Sequence, residues 1–315
     1  DSTEVDTPLT AEERGLCPPV VLLTTAAGLA GLTSHLSEAL AGELHVLVLV
    51  LDDLAGVTRN AGAVDLLPQV LAHPRAHSLS TSVAYPEHFF NGVSAALASH
   101  SGAIIHLYAP SPRQHGFATD RTVARAAAAV HGRMAPLLHY DPQAPGLLGT
   151  RLNLQGNPAP EGLCVADEIS AQLQTPLHWA LGETRWQADF ITDAGGIDLS
   201  GWLAAATEDR GASPVQLDVD GAGRTVVAGR LLAGAAAALT RWEMLQELAG
   251  VVTPFAEAAV AQADAALRIE HETALAAQQT QFEQQLAAAE GERLSVYRSR
   301  LRDRLLQLAG YRRGR

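Results

Sequence analysis

The amino-acid sequence predicts an α/β fold: an open, mostly parallel sheet, then a small α+β extension and a long C-terminal helical arm. Three observations lead there. Compact apolar runs at 20–25, 44–51 and 103–108 alternate with helix-spaced segments, the order expected of parallel strands joined by crossover helices. After Tyr140 the alternation gives way to loops and short amphipathic pieces around Trp179, Trp186, Phe190 and Trp202. From 255 to 308 the chain is mostly Ala, Glu, Gln, Leu and Arg, all strong helix formers. The expected organisation is a linker over 1–17, an α/β domain over 18–162, the extension over 163–250 and the arm over 251–315.

In chain order, Pro18 and Pro19 stop the acidic opening stretch, and the Val- and Leu-rich run 20–25 reads as a strand buried on both faces. Small residues at 26–31 turn the chain. The helical spacing of 32–40 begins near Thr33 or Ser34 and ends at Gly42. The strand 44–51 ends in Asp52 and Asp53, completing a parallel unit with a right-handed crossover. Residues 64–72 form an irregular candidate helix, and 78–83 a short strand. Pro86 opens an amphipathic helix over 88–98, with Phe89, Val93, Ala96 and Leu97 on its inner face. After the strand 103–108, a Pro-rich loop runs to Gly116. Asp120 is then placed to cap a helix from Arg121 to Gly132, with Arg121, Arg125 and Arg133 on its outer side. Residues 141–162 read as an extended surface loop, and Asp220 to Gly223 as a hairpin turn. A helix over 231–248 follows. In the arm, Leu294, Leu301 and Leu308 recur every seven residues with Tyr297 between them, a seam for a helical partner along 255–308. Gly291 is expected to interrupt or kink that helix.

Composition narrows the function. A formal charge of −12 over 315 residues argues against nucleic-acid binding, which needs a basic surface. Every basic residue is Arg, so a Schiff-base lysine and a P-loop lysine are both excluded. Cys17 and Cys164 are too few for an iron–sulfur cluster, which takes about four thiolates, and do not make a zinc site by themselves. Such free thiols suit a reducing compartment, and the expected location is cytoplasmic. The longest apolar run, 44–51, is far shorter than the roughly 20 residues of a membrane span. Because it starts at Asp1 without Met, the chain reads as trimmed, cleaved or cut from a longer polypeptide.

Two places invite a ligand. Ala26, Ala27, Gly28, Leu29, Ala30 and Gly31 approach the dinucleotide fingerprint G-x-G-x-x-G with its first glycine replaced, and Asp52 lies further on. One reading is a phosphate on the helix N-terminus. The other is a plain turn whose small residues let helix and sheet pack closely. The second place is the loop after 103–108, where Ser111, Arg113, Gln114 and His115 offer a hydroxyl, a cation, an amide and an imidazole at a strand's carboxyl end. No general base stands at a fixed distance from Ser111, and G-x-S-x-G is absent, so serine hydrolysis is disfavoured. A rigid connector with Arg113 in an ion pair stays open beside a binding role. His73 and His77 have the i, i+4 spacing of a metal pair, but Pro74 intervenes and they read as surface histidines. His106, inside a strand, reads as a hydrogen-bonded core residue.

Tyr85, Pro86, Glu87 and His88, the run from Gly92 to Leu97, the run from Ile105 to Pro112, and His115 with Gly116 carry a family likeness. Together they resemble the thiamine-diphosphate-binding domain of pyruvate:ferredoxin (flavodoxin) oxidoreductases. The run from Pro136 to Pro142 is similar to the stretch that ends that domain, so the resemblance covers residues 20–160. Residues 179–185 and 242–250 look like extensions found in large fused relatives. The resemblance implies a thiamine-diphosphate-binding-domain-like sheet. In that family a G-D-G motif after the first strand and an Asn-Thr pair after the next hold Mg²⁺ against the cofactor's diphosphate. Here the first position reads Thr24, Thr25, Ala26, Ala27, Gly28, with no acid, and the second runs from Asp52 to Asn60 without the Asn-Thr pair. The candidate cofactor-binding residues are Gly28, Gly31, Asp52, Asp53, Asn60, Ser111 and His115, and a remodelled metal site would use Asp52, Asp53 and Asn60. The expectation is a degenerate, structural domain of a 2-oxoacid:ferredoxin oxidoreductase-type polypeptide or complex, partnered by other domains or subunits of that assembly. Thiamine diphosphate and magnesium are implied by the family but not expected to bind. One alternative is an active thiamine-dependent oxidoreductase subunit. Another is a scaffold acting through its helical arm.

Overall fold

Apolar runs uninterrupted by Pro or Gly supply β1 (Val20–Thr25), β2 (Val46–Asp52) and β4 (Ala103–Tyr108) of a six-stranded sheet, and a Ser- and His-bearing strand, β3 (His77–Ser82), completes its middle. With β5 (Leu138–Tyr140) and β6 (Leu152–Asn153), the strands stand in the order β1-β2-β4-β3-β5-β6. The first four are parallel, β5 runs antiparallel to β3, and β6 runs antiparallel to β5. This is an α/β fold with a mostly parallel sheet. The structure is a computed structural model that describes residues 10–29, 33–42, 45–54, 71–99, 101–166, 173–192, 195–210, 213–219, 222–226 and 229–310. It divides into two units, Asp1–Val252 and Thr253–Arg315.

Helices cover both faces of the sheet, as parallel strands require. On one face Val46, Val48, Val50 and Ile104 pack with Leu36 and Leu40 of α1 (Thr33–Ala41). On the other, Leu47, Leu79 and Ile105 meet Phe89, Val93 and Ala96 of α2 (Pro86–Ser99). A third core joins Tyr108, and Ala126 and Ala129 of α3 (Thr122–His131), to Trp179 of α4 (Pro176–Leu181) and to Trp186 and Trp202. Here the 163–250 segment folds against the main sheet. It contributes a short pair, β7 (Val165–Ala166) with β8 (Leu173–Gln174). Its four-stranded sheet of β9 (Phe190–Thr192), β10 (Ile197–Asp198), β11 (Val215–Val219) and β12 (Ala222–Val226) has the order β10-β11-β12-β9. Helix α5 (Arg230–Leu248) joins the two regions: Leu231, Leu232 and Leu239 enter the tryptophan core, while Trp242 and Leu245 enter the core under the main sheet.

Several local expectations change. Strand β1 is not buried on both faces: among the described residues it pairs with β2 alone, at the end of the sheet, and Val21 and Leu23 are 61% and 67% exposed. Apolar composition identified a strand but not its rank in the strand order. Asp120 does not cap α3, because a single 3₁₀ turn, Thr119–Arg121, leads in and Arg121 takes the cap position. Arg133 is fully buried rather than outward. Its guanidinium donates to the carbonyls of Pro158, Ala159, Gly162 and Leu163 and lies 4.0 Å over the Trp242 ring. The loop 141–162 contains one helical turn, Leu148–Arg151, and strand β6. The candidate helix over 64–72 falls almost wholly outside the described residues.

The arm is one helix, α6 (Pro254–Leu308), continuous across Gly291. A single mid-helix Gly costs about 1 kcal/mol, too little to break a helix in which strong formers surround it. Among the described residues, no helix is long and apolar enough to cross a membrane.

Candidate functional site

Ligands of open α/β sheets gather at the carboxyl ends of the strands. At the ends of β2 and β4 this chain places two linked polar clusters. The first is a row across three strands. The register sets Val50, His106 and Ser80 side by side, and Asp52 follows on the same face as Val50. His106 Nε2 lies 2.9 Å from Asp52 Oδ2, and His106 Nδ1 lies 3.4 Å from Ser80 Oγ. The other carboxylate oxygen, Asp52 Oδ1, accepts the Leu54 N–H at 2.7 Å. All three side chains are buried. The order Asp–His–Ser echoes a hydrolase triad, but a nucleophilic serine must reach substrate, and this hydroxyl lies on a covered sheet face. The arrangement is a hydrogen-bonded row that satisfies a buried acid.

The second cluster is built by the extension. His115 ends a one-turn helix, Pro112–His115, whose N-cap Ser111 accepts from the Gln114 N–H. His115 Nδ1 lies 3.1 Å from Glu183 Oε1, and its Nε2 lies 4.0 Å from Asp53 Oδ2. Glu183 Oε2 accepts from Arg185 Nε at 2.7 Å, and Arg185 also donates to the carbonyl of Leu54 at 3.4 Å. That guanidinium sits 5.5 Å and 5.2 Å from the ring centroids of Trp179 and Trp186. Neither His115 nor Glu183 is exposed to solvent. Burial and then the charge of Glu183 hold the Tyr108 phenol above its ordinary pKa. The pair Glu183 and Arg185 thus fastens the extension over the ends of β2 and β4.

The sequence-predicted residues fare differently. Asp52, Asp53 and His115 do converge here, Asp52 through His106 and the other two through each other. Ser111 serves as a helix cap. Gly28 lies in the turn after β1, where its N–H donates to Thr25 Oγ1 at 3.1 Å and a Cβ would come within 2.7 Å of Thr24 Oγ1. Gly31 and Asn60 lie outside the described residues. His106 is the hydrogen-bonded core residue its place in a strand suggests. His77 is no surface histidine: it is 2% exposed in β3, which runs between β4 and β5. His73, by contrast, bonds Ser37 Oγ at 3.1 Å. Glu183, Arg185 and Ser80 are not singled out in the sequence, because the contacts that bring them to this site, to His115, the Leu54 carbonyl and His106, span 68, 131 and 26 residues.

No protein-family model matches the chain, and no curated protein matches it. The functional reading therefore rests on the geometry together with the resemblance of residues 20–160.

Proposed function

We propose that the chain is a divergent thiamine-diphosphate-binding-like domain of a 2-oxoacid:ferredoxin oxidoreductase-type polypeptide or complex, with a structural rather than catalytic role. The observation that carries this reading is the engagement of Asp52. Its two oxygens are held by His106 and by the Leu54 N–H, inside a sheet face where it is 3% exposed. A diphosphate-bound Mg²⁺ needs hard oxygen ligands that can turn towards it. The end of β1 offers the hydroxyls of Thr24 and Thr25 in place of a carboxylate, and Thr25 Oγ1 already accepts from the Gly28 N–H. Asp53 faces His115. The described residues therefore do not fit a magnesium–diphosphate group, and Glu183 with Arg185 occupies the neighbouring edge.

Isothermal titration of the full chain with thiamine diphosphate and Mg²⁺ tests the degenerate site. No saturable binding is expected in the micromolar range; micromolar binding would establish the active-subunit alternative instead. The assembly context has its own test. The native polypeptide or complex containing this chain should show 2-oxoacid-dependent reduction of a viologen dye, and purified material without it contradicts the oxidoreductase assignment.

A further inference from the structure

The arm exposes apolar side chains along its length. They include Ile269, Leu275, Leu294, Tyr297 and Leu305 as well as a subset of six, Val260, Leu267, Phe282, Leu286, Leu301 and Leu308, that are between 52% and 78% exposed. The spacings within these six are 7, 15, 4, 15 and 7 residues, a series that reads the same from either end. The mean spacing is about 3.7 residues per turn, slightly above the 3.6 of a straight helix, so the seam winds slowly round α6 rather than following strict heptads.

A palindromic seam is what two identical helices need in order to meet head to tail. Run antiparallel, Val260 falls opposite Leu308, Leu267 opposite Leu301, and Phe282 opposite Leu286. His271 then faces Tyr297, and Leu275 comes within one residue of Leu294.

Charge selects the same orientation. Residues 254–292 carry seven acidic side chains and one Arg, whereas 293–308 carry five Arg and one Asp. A parallel pair stacks acid on acid and base on base. An antiparallel pair lays the arginine-rich end across 260–275, where Asp264 meets Arg304 beside the seam. Arg268 meets Arg300 in the same register, a cost the opposite-charge contacts must outweigh.

We propose that α6 joins two copies of this chain as an antiparallel two-helix coiled coil, with Asp264 of one copy against Arg304 of the other. This inference is independent of the cofactor question.

Light scattering on the full chain should give the mass of a dimer. Asp264→Arg and Arg304→Asp each place two like-charged pairs in the dimer and should raise its dissociation constant about tenfold. The double variant Asp264→Arg/Arg304→Asp should restore it, which a parallel pair cannot do. Circular dichroism keeps the readout clean, since these exposed substitutions should leave helix content unchanged. Orientation is read independently by mixing His271→Cys and Tyr297→Cys chains in a Cys17→Ser background. Disulfides between 271 and 297 are expected by mass spectrometry. A monomeric mass, 271–271 and 297–297 disulfides, or a double variant no tighter than the single ones would each overturn the proposal.

Discussion

A carboxylate shut off from water is stabilised only by the groups that touch it. Glu183 has two, the imidazole of His115 and the guanidinium of Arg185. Removing one member of a buried ionic group leaves the others desolvated and unpaired, a loss of about 3–5 kcal/mol. Glu183→Ala is therefore expected to destabilise unit 1 by about that amount in urea titration. Glu183→Gln keeps a hydrogen-bond acceptor and should cost less. A loss well below 1 kcal/mol for the alanine variant would mean the clamp contributes little. Arg133 is a buried cation held without a carboxylate: its Nε and Nη2 donate to four backbone carbonyls of 158–163 and so tie that loop to the end of α3.

At the scale of elements, α2 lies on β3 through a glycine. A Cβ at Gly92 would stand 2.4 Å and 2.6 Å from the two methyls of Leu79, itself 1% exposed. Helix propensity alone favours Gly92→Ala by about 1 kcal/mol. Overpacking a tight core contact costs about 1–3 kcal/mol, and Leu79 is a buried core residue whose methyls would have to shift among its neighbours. The expected outcome is net destabilisation, read as a lower thermal midpoint; a raised midpoint would show that the α2–β3 contact yields easily. Helix α5 binds at two places for a related reason. Its length carries Leu231 to one core and Leu245 to another, so one element couples the extension to the main sheet.

The stability of unit 1 as a whole should depend on acid through one buried histidine, His77, and three half-buried ones, His88, His139 and His178. Burial lowers His77, His88 and His178 to about 4 each, and lowers His139 as well. An unfolded histidine takes up its proton near pH 6.5, so between about 6.5 and 4 the unfolded chain binds more protons than the folded one. Stability is then fully present above pH 6.5 and falls as pH drops towards 4. The thermal midpoint should accordingly be lower at pH 5 than at pH 7.5, and an equal or higher midpoint at pH 5 would contradict this. His77 has the Asp141 carboxylate 3.5 Å away, which offsets part of its burial but not its direction.

Periodicity and propensity, which are properties of neighbouring residues, determined the fold class. They marked β2 and β4 as buried strands, α2, α5 and α6 as helices, and the antiparallel pairing of β11 with β12, although Ala222 and Gly223, read as part of the turn, belong to β12. They also picked Asp52 and His115 by their positions after strands. Position in the sheet was decided elsewhere. The Val and Leu of β1 read as interior but stand at the end of the strand order, while His77 of β3 read as a surface residue but is enclosed. Strand order depends on which crossover passes over which strand, and no local pattern records it. The company of Asp52 and His115 was likewise a tertiary outcome. His106 reaches Asp52 across 54 residues and Glu183 reaches His115 across 68, and only folding brings such side chains within hydrogen-bond range.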